Sequence, residues 1–183
     1  SAALTGLLLA LTLPPTLPAW MAALGSAVAI AVGKHAFGGL GANPFNPALV
    51  GRAFLGASFA APMSRFTLPF DTVTGATPLA EIGSTGTYGD LWALFAGTTG
   101  GSLGETSTVA LLVGGAALLL KEVIDWRIPV GIGLGVVGVS WLAGVDPVAH
   151  LLSGGLLLGA LFMATDWVTS PITRKGKWIY AVA

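Results

Sequence analysis

The sequence contains no cysteine in 183 residues. That excludes a disulfide, a thiolate-held iron–sulfur cluster and a cysteine-based zinc site. Charge is almost as scarce. Eight Lys and Arg and eight Asp and Glu make up 9% of the chain and cancel to a net charge of zero, where an ordinary soluble domain carries about 25% charged residues. A disordered chain needs the opposite balance, high charge with low hydrophobicity. A nucleic-acid-binding domain needs a basic stripe to neutralise phosphates, and none is present. A soluble enzyme is also disfavoured, because the polar residues are too few to cover a water-facing surface.

What the sequence has instead is apolar residues, 54% of the chain, a mean hydropathy of +0.84, and 27 glycines. Charge is absent from residues 1–33, 106–120, 128–145 and 147–165. A bilayer core takes about 20 apolar residues per helix. These runs therefore predict an all-α fold, a polytopic integral-membrane bundle with short or broken helices, in one transmembrane domain over residues 1–183. Ser1 opens directly onto an apolar run with no basic segment before it. This reads as part of a longer chain rather than as a signal peptide.

The first apolar run, Ala2–Leu13, meets three prolines at 14, 15 and 18, which cannot continue a helix. A second run covers Ala19–Gly33. Lys34, His35 and a glycine-rich bend follow. Asn43-Pro44 and Asn46-Pro47 both read as helix starts, since Asn caps free N–H groups and Pro suits the first helical position. A helix is predicted over Pro47–Ala61. Residues 63–90 are the most polar stretch and read as a long loop outside the membrane, of the kind that carries function. A short segment, Leu91–Ala96, precedes the loop Gly97–Ser107. Helices are predicted at Thr108–Lys121, Ile128–Leu142 and Pro147–Ala164, and a loop at Asp166–Lys177. Bases outnumber acids in 166–177, which places that loop on the cytoplasmic side and, counting crossings back, residues 63–90 on the outer side. Trp20, Trp126, Trp141 and Trp167 fall near helix ends, as interfacial anchors do. The run Leu4–Leu9 resembles Leu152–Leu157, which raises an inverted repeat and, with it, a permease without a redox cofactor.

The segment from Asp71 to Leu79 reads D-T-V-T-G-A-T-P-L. Physically it is a small-residue turn that presents a hydroxyl. Gly75 and Ala76 leave space beside Thr77, and Pro78 biases Thr77 toward an extended backbone. Taken alone it reads first as a Thr-rich surface turn. The string resembles the covalent-flavin motif D-x-x-[ST]-G-A-T, matched by Asp71, Thr74, Gly75, Ala76 and Thr77. That motif occurs in the family shared by the D subunit of the Rnf electron transport complex and the B subunit of the sodium-translocating NADH:quinone reductase. Similarity extends to Gly38–Leu55, Gly101–Ser107, Asp125–Pro129 and His150–Pro171, nearly the whole chain. The Thr77-Pro78-Leu79 and Asn43–Pro47 strings look more like the Rnf branch.

The resemblance implies an electron-transfer subunit of an ion-translocating ferredoxin:NAD oxidoreductase. It implies FMN esterified through its phosphate to Thr77 by a flavin transferase, with Asp71, Thr74, Gly75 and Ala76 as the attachment motif. It leaves room for a second, noncovalent flavin such as riboflavin. Partners would be the other Rnf membrane subunits and an FMN-carrying subunit on the outer side. The setting would be a bacterial or archaeal cytoplasmic membrane.

Three further residues stand out. Arg52 falls near the middle of the helix 47–61, and an intramembrane Arg faces a bundle interior or polar cavity. It could contact a flavin, pair with Glu105 or snorkel to an interface. Gly104-Glu105-Thr106 puts Glu where a phosphate-binding loop needs Lys, so Thr106 or Ser107 is expected to cap the next helix instead. His150 has only His35 as a companion in the sequence, which favours a hydrogen-bonded packing role over metal ligation.

Overall fold

The computed structural model describes residues 2–67, 77–153 and 155–182. Among them the secondary structure is helical, with no strand. In chain order the helices are α1 (Ala2–Leu11), α2 (Ala19–Ala31), α3 (Pro47–Ser58), α4 (Ala60–Met63), α5 (Pro78–Thr85), α6 (Leu91–Ala96), α7 (Thr108–Leu120), α8 (Arg127–Leu142), α9 (Pro147–Leu152), α10 (Leu156–Leu158) and α11 (Arg174–Val182). A 3-10 turn, His35–Phe37, follows α2, and a π-helical segment, Gly159–Met163, continues α10.

Local chemistry explains the helix starts. Asn46 caps α3, its side chain accepting from the N–H of Ala48 at 3.0 Å, with Pro47 in the first position. Asp146 caps α9 in the same way through Val148 N–H at 2.9 Å. Asp90 caps α6 and Ser107 caps α7. Each side-chain oxygen satisfies a donor that the first turn leaves open.

Four expectations are corrected. Asn43 starts no helix; its side-chain amide donates to Phe45 O at 3.0 Å within a turn. The helix expected over 47–61 breaks at Phe59, whose φ of −134° and ψ of 50° interrupt it. The helix expected over 147–164 is interrupted at Ser153, which leaves helical geometry at ψ 155°. The loop expected over 166–177 ends early, because α11 begins at Arg174. The apparent repeat also dissolves. Leu4–Leu9 lies inside the continuous α1, whereas Leu152–Leu157 straddles the break after α9.

One described stretch, Ala19–Phe37 with 19 residues, which joins α2 to the 3-10 turn after it, is long and apolar enough to cross a membrane. The helices α1, α7 and α8 are also apolar but shorter. At about 1.5 Å per residue, even α8 falls short of a hydrocarbon core about 30 Å thick. Many of their large apolar side chains face outward, including Leu7, Val113, Leu120, Leu134, Trp141 and Leu142. The expected Trp anchors at 20, 126, 141 and 167 are all exposed at or near helix ends.

The main core joins α1, α2 and α3 through Leu9, Ala29, Ala48 and Leu55, with Leu13 and Met163 closing it. Close approach of α2 and α3 depends on glycine. A Cβ on Gly51 would lie 2.7 Å from the carbonyl oxygen of Gly25 and 2.9 Å from Ala29 Cβ. A second cluster unites Ile82 of α5, Leu94 of α6 and Ala149 of α9. The α8–α11 pair packs across Gly131, where an added Cβ would sit 2.5 Å from Ala181 Cβ. Small residues at such crossings allow backbone contact where no hydrophobic effect separates helix from lipid.

Asp125 ties the two ends of this pair. Its carboxylate accepts from Lys177 Nζ at 2.8 Å and from Arg127 Nη1 at 3.1 Å. Partial burial alone would raise its pKa. The hydrogen bond from Lys177, the backbone N–H of Arg127 and both positive charges outweigh that and hold the carboxyl below its ordinary value. Because the folded-state value is depressed, this stabilisation is whole above the ordinary carboxylate range and is lost as pH falls through the folded-state value.

Three outcomes follow for thermal melting of detergent-solubilised protein. Gly51→Val lowers stability by about 1–3 kcal/mol through overpacking. Gly56→Ala in the same helix, where an added Cβ meets nothing within 4 Å, is neutral or stabilising by up to about 1 kcal/mol. Asp125→Asn lowers stability by about 1 kcal/mol at neutral pH, and its difference from the native chain closes as pH is lowered through the carboxylate range.

Candidate functional site

Residues expected to form the polar loop 63–90 are partly helical. Thr77-Pro78 starts α5 as Asn46-Pro47 starts α3. Thr77 is extended, with φ −71° and ψ 152°, and its Oγ1 accepts from Ala80 N–H at 3.3 Å. Pro78 imposes the extended backbone on Thr77 and occupies the first helical position. Asp71, Thr74, Gly75 and Ala76 lie outside the described residues.

Half-buried Thr77 lies on a cavity of about 300 Å³ whose wall also includes Arg52, Phe66, Glu105, Thr106 and Ser153. The cavity therefore unites the α5 N-terminus, the α3 cation, the loop before α7 and the break after α9. Sequence spacing brings none of these together, since 25 positions separate Arg52 from Thr77 and 76 separate Thr77 from Ser153.

The C-terminal end of α1 fastens this wall. Leu103 N–H donates to Leu13 O at 3.2 Å and Gly104 N–H to Leu11 O at 2.7 Å. The Arg52 guanidinium donates to Thr12 O between them. Helices leave their last carbonyls without internal partners, and here three successive carbonyls recruit two loop amides and one cation. Gly104 has no room for a side chain, because a Cβ would lie 2.7 Å from Leu11 Cβ.

Of the alternatives for Arg52, the structure shows the cavity wall with a backbone anchor. Among the described residues, Arg52 makes no ion pair with Glu105. Glu105 instead turns back on its own loop, where Oε1 accepts from Ser102 N–H and Ser102 Oγ, both at 2.7 Å. Ser102 is fully buried. The loop is pinned again by Thr108 Oγ1, which donates to Leu94 O at 3.2 Å. His150 behaves as a packing residue; its Nδ1 is 2.8 Å from the hydroxyl of buried Ser140. On the Ile82–Leu94–Ala149 cluster, burial and the carboxylates of Glu81 and Asp90 push the Tyr88 phenol above its ordinary range.

A second cavity, of about 580 Å³, has mainly apolar walls from α1, α7 and the π-helical segment. Lys34, Asn43 and Asn46 supply polar groups to it. Asn46 also donates to Met163 O at 3.3 Å, which ties α3 to the end of the π-helical segment. Sequence reasoning read these asparagines only as caps and missed that the pair borders a cavity.

The sequence profile of the NQR2, RnfD, RnfE family matches residues 1–183. The chain belongs to this family. It is 50% identical over 188 aligned positions to the D subunit of the Na⁺-translocating ferredoxin:NAD⁺ oxidoreductase complex of Acetobacterium woodii, covering 100% of this chain and 59% of that protein. It is 47% identical over 204 positions to the D subunit of the proton-translocating ferredoxin:NAD⁺ oxidoreductase complex of Clostridium ljungdahlii, covering 100% and 61%. Against the B subunit of the Na⁺-translocating NADH-quinone reductase of Pseudomonas aeruginosa, identity is 42% over 195 positions, covering 96% and 48%. This member of the NQR2, RnfD, RnfE family thus spans about half to three-fifths of the length of these relatives.

Arg52→Met would orphan the Thr12 carbonyl at the α1 junction. Melting of the detergent-solubilised variant is expected to show a loss of about 1–3 kcal/mol. Arg52→Lys, which keeps the charge and one donor, is expected to lose less.

Proposed function

We propose that this chain is the electron-carrying core of an Rnf-type D subunit, holding FMN as a phosphoester on Thr77 within an ion-translocating ferredoxin:NAD⁺ oxidoreductase complex. The observation that carries this reading is that Thr77 and Arg52 line one cavity. Higher identity to two Rnf-type D subunits than to the quinone-reductase B subunit favours the Rnf branch.

The residues present suit the group. Among the described residues, the Thr77 hydroxyl oxygen accepts one weak backbone hydrogen bond at 3.3 Å, which holds its nucleophilic oxygen loosely. The cavity is at the lower end of the roughly 300–1,000 Å³ typical of ligand sites. Arg52 brings a permanent positive charge with five donors, of which the Thr12 carbonyl engages one nitrogen. That charge favours an anionic phosphate or a ring bearing negative charge. When bound, the flavin supplies the electron transfer itself, and the protein supplies position and electrostatics. A phosphoester tether keeps the group in place without altering the ring.

The same reading gives a second, noncovalent flavin such as riboflavin to the 580 Å³ cavity. Apolar walls with a few polar side chains suit a largely flat aromatic ligand. The partners are the other members of such a complex, including an FMN-carrying subunit on the outer side, with a flavin transferase acting during maturation. The cytoplasmic membrane of a bacterium or archaeon is the setting.

Protein made in cells that contain the transferase, then denatured and washed, should fluoresce on a gel under ultraviolet light. Its intact mass should exceed the chain by one FMN less one water. Thr77→Ala should remove both signals and Arg52→Gln should leave the attachment in place. A native chain without adduct refutes the covalent-flavin reading.

A further inference from the structure

The third large cavity lies away from the Thr77 site, between the α7–α8 turn and the segment leading into α11, and measures about 640 Å³. Its wall includes Asp125, Arg127, Lys177, Trp126, Trp167 and Glu122. Two cations converge on one carboxylate there, Lys177 at 2.8 Å and Arg127 at 3.1 Å from Asp125 Oδ2. Arg127 also stacks over the Trp126 ring, 5.1 Å from its centroid, and Trp126 meets Trp178 edge-on at 6.0 Å. Trp167 donates from Nε1 to Val123 O at 2.8 Å, which fixes a ring that is otherwise 78% exposed.

Charge concentrates at this end. Segments 121–127 and 166–177 hold five of the eight bases, Lys121, Arg127, Arg174, Lys175 and Lys177, against three acids, Glu122, Asp125 and Asp166. That is a surplus of two in a chain whose net charge is zero. Exposed Leu120 and Ile172, at 86% and 95%, flank the same region. Tryptophans, a basic surplus and bare aliphatic side chains together describe a membrane interface. The recess itself balances Arg127 and Lys177 against Glu122 and Asp125, and Lys121, Arg174 and Lys175, beside it in sequence, give the region its basic surplus. A basic interfacial region of this kind attracts an anionic lipid headgroup.

We infer that this cavity seats the headgroup of an anionic phospholipid, its phosphate facing Lys177 and Arg127 and its acyl chains lying against the exposed aliphatic side chains. The inference rests on the proposed membrane setting. Its role is positional: lipid phosphate would brace α11 against α8 through the cations that Asp125 already gathers.

The test uses the full-length protein that contains this chain, purified in mixed micelles of phosphatidylglycerol and phosphatidylcholine and followed by native mass spectrometry. Phosphatidylglycerol should be retained in preference to phosphatidylcholine. Lys177→Gln should cut that preference about fivefold, the effect of one base near an anionic surface, and Lys177→Arg should keep it. Lys175→Gln, at an exposed position, gives a second reading should Lys177→Gln lower the melting temperature. Equal retention of both lipids, or an unchanged preference in both Gln variants, overturns the inference. So does full displacement by glycerol phosphate, which would mark a free-anion site, or loss of the preference once the whole complex assembles, which would give the cavity to a protein partner. A chain that stays out of the detergent phase on partitioning refutes the membrane setting itself. One that enters it without lipid preference refutes only the headgroup site.

Discussion

Backbone carbonyls at an interrupted helix must find donors, and in an apolar setting water does not supply them. The end of α1 is such a place. Leu11, Thr12 and Leu13 present successive carbonyls, and Gly104 N–H, the Arg52 guanidinium and Leu103 N–H answer them. This junction couples three parts of the chain that sequence keeps apart. It draws the loop before α7 onto α1, and it fixes Arg52 of α3 at the wall where Thr77 also lies.

The rest of the fold serves the same end by close packing rather than by charge. Glycine at 25 and 51 lets α2 and α3 approach, which seats Leu55 under α1. Interruptions at Phe59 and Ser153 leave short helices whose ends border the cavity. Short, broken helices are poor at spanning a bilayer singly but good at exposing backbone ends inside a bundle, where ion and cofactor sites are built. The scarcity of charge follows. Among the described residues, Arg52 and Glu105 are the charged ones on that cavity wall, and each is anchored to another partner, Thr12 O and Ser102, instead of to the other.

Much of this was legible in the sequence. Cap-plus-proline pairs located α3 and α9, and charge-free runs located α7 and α8 within a residue or two. The D-x-x-T-G-A-T string singled out Thr77, and the structure puts that residue on the same cavity wall as Arg52. Other features were not legible because tertiary contacts decide them. Thr77-Pro78 has the same cap-plus-proline form as Asn46-Pro47, but the surrounding polar residues masked the helix it starts. Nothing local to Asn43 distinguishes a turn from a cap. Pairing Arg52 with Glu105 was reasonable on charge alone, yet Ser102 and the Thr12 carbonyl compete for those groups at shorter range in the chain's folded path. The two bases at 174 and 175 read as loop residues, since the helix they begin is held by packing across Gly131 and by Asp125.

The most direct measurement is fragmentation mass spectrometry of the peptide bounded by Arg65 and Lys121, taken from protein made beside the transferase. The account predicts one FMN phosphoester, located on Thr77, with Thr67, Thr72 and Thr74 unmodified. An adduct on any of those other threonines, or an unmodified peptide, would contradict it.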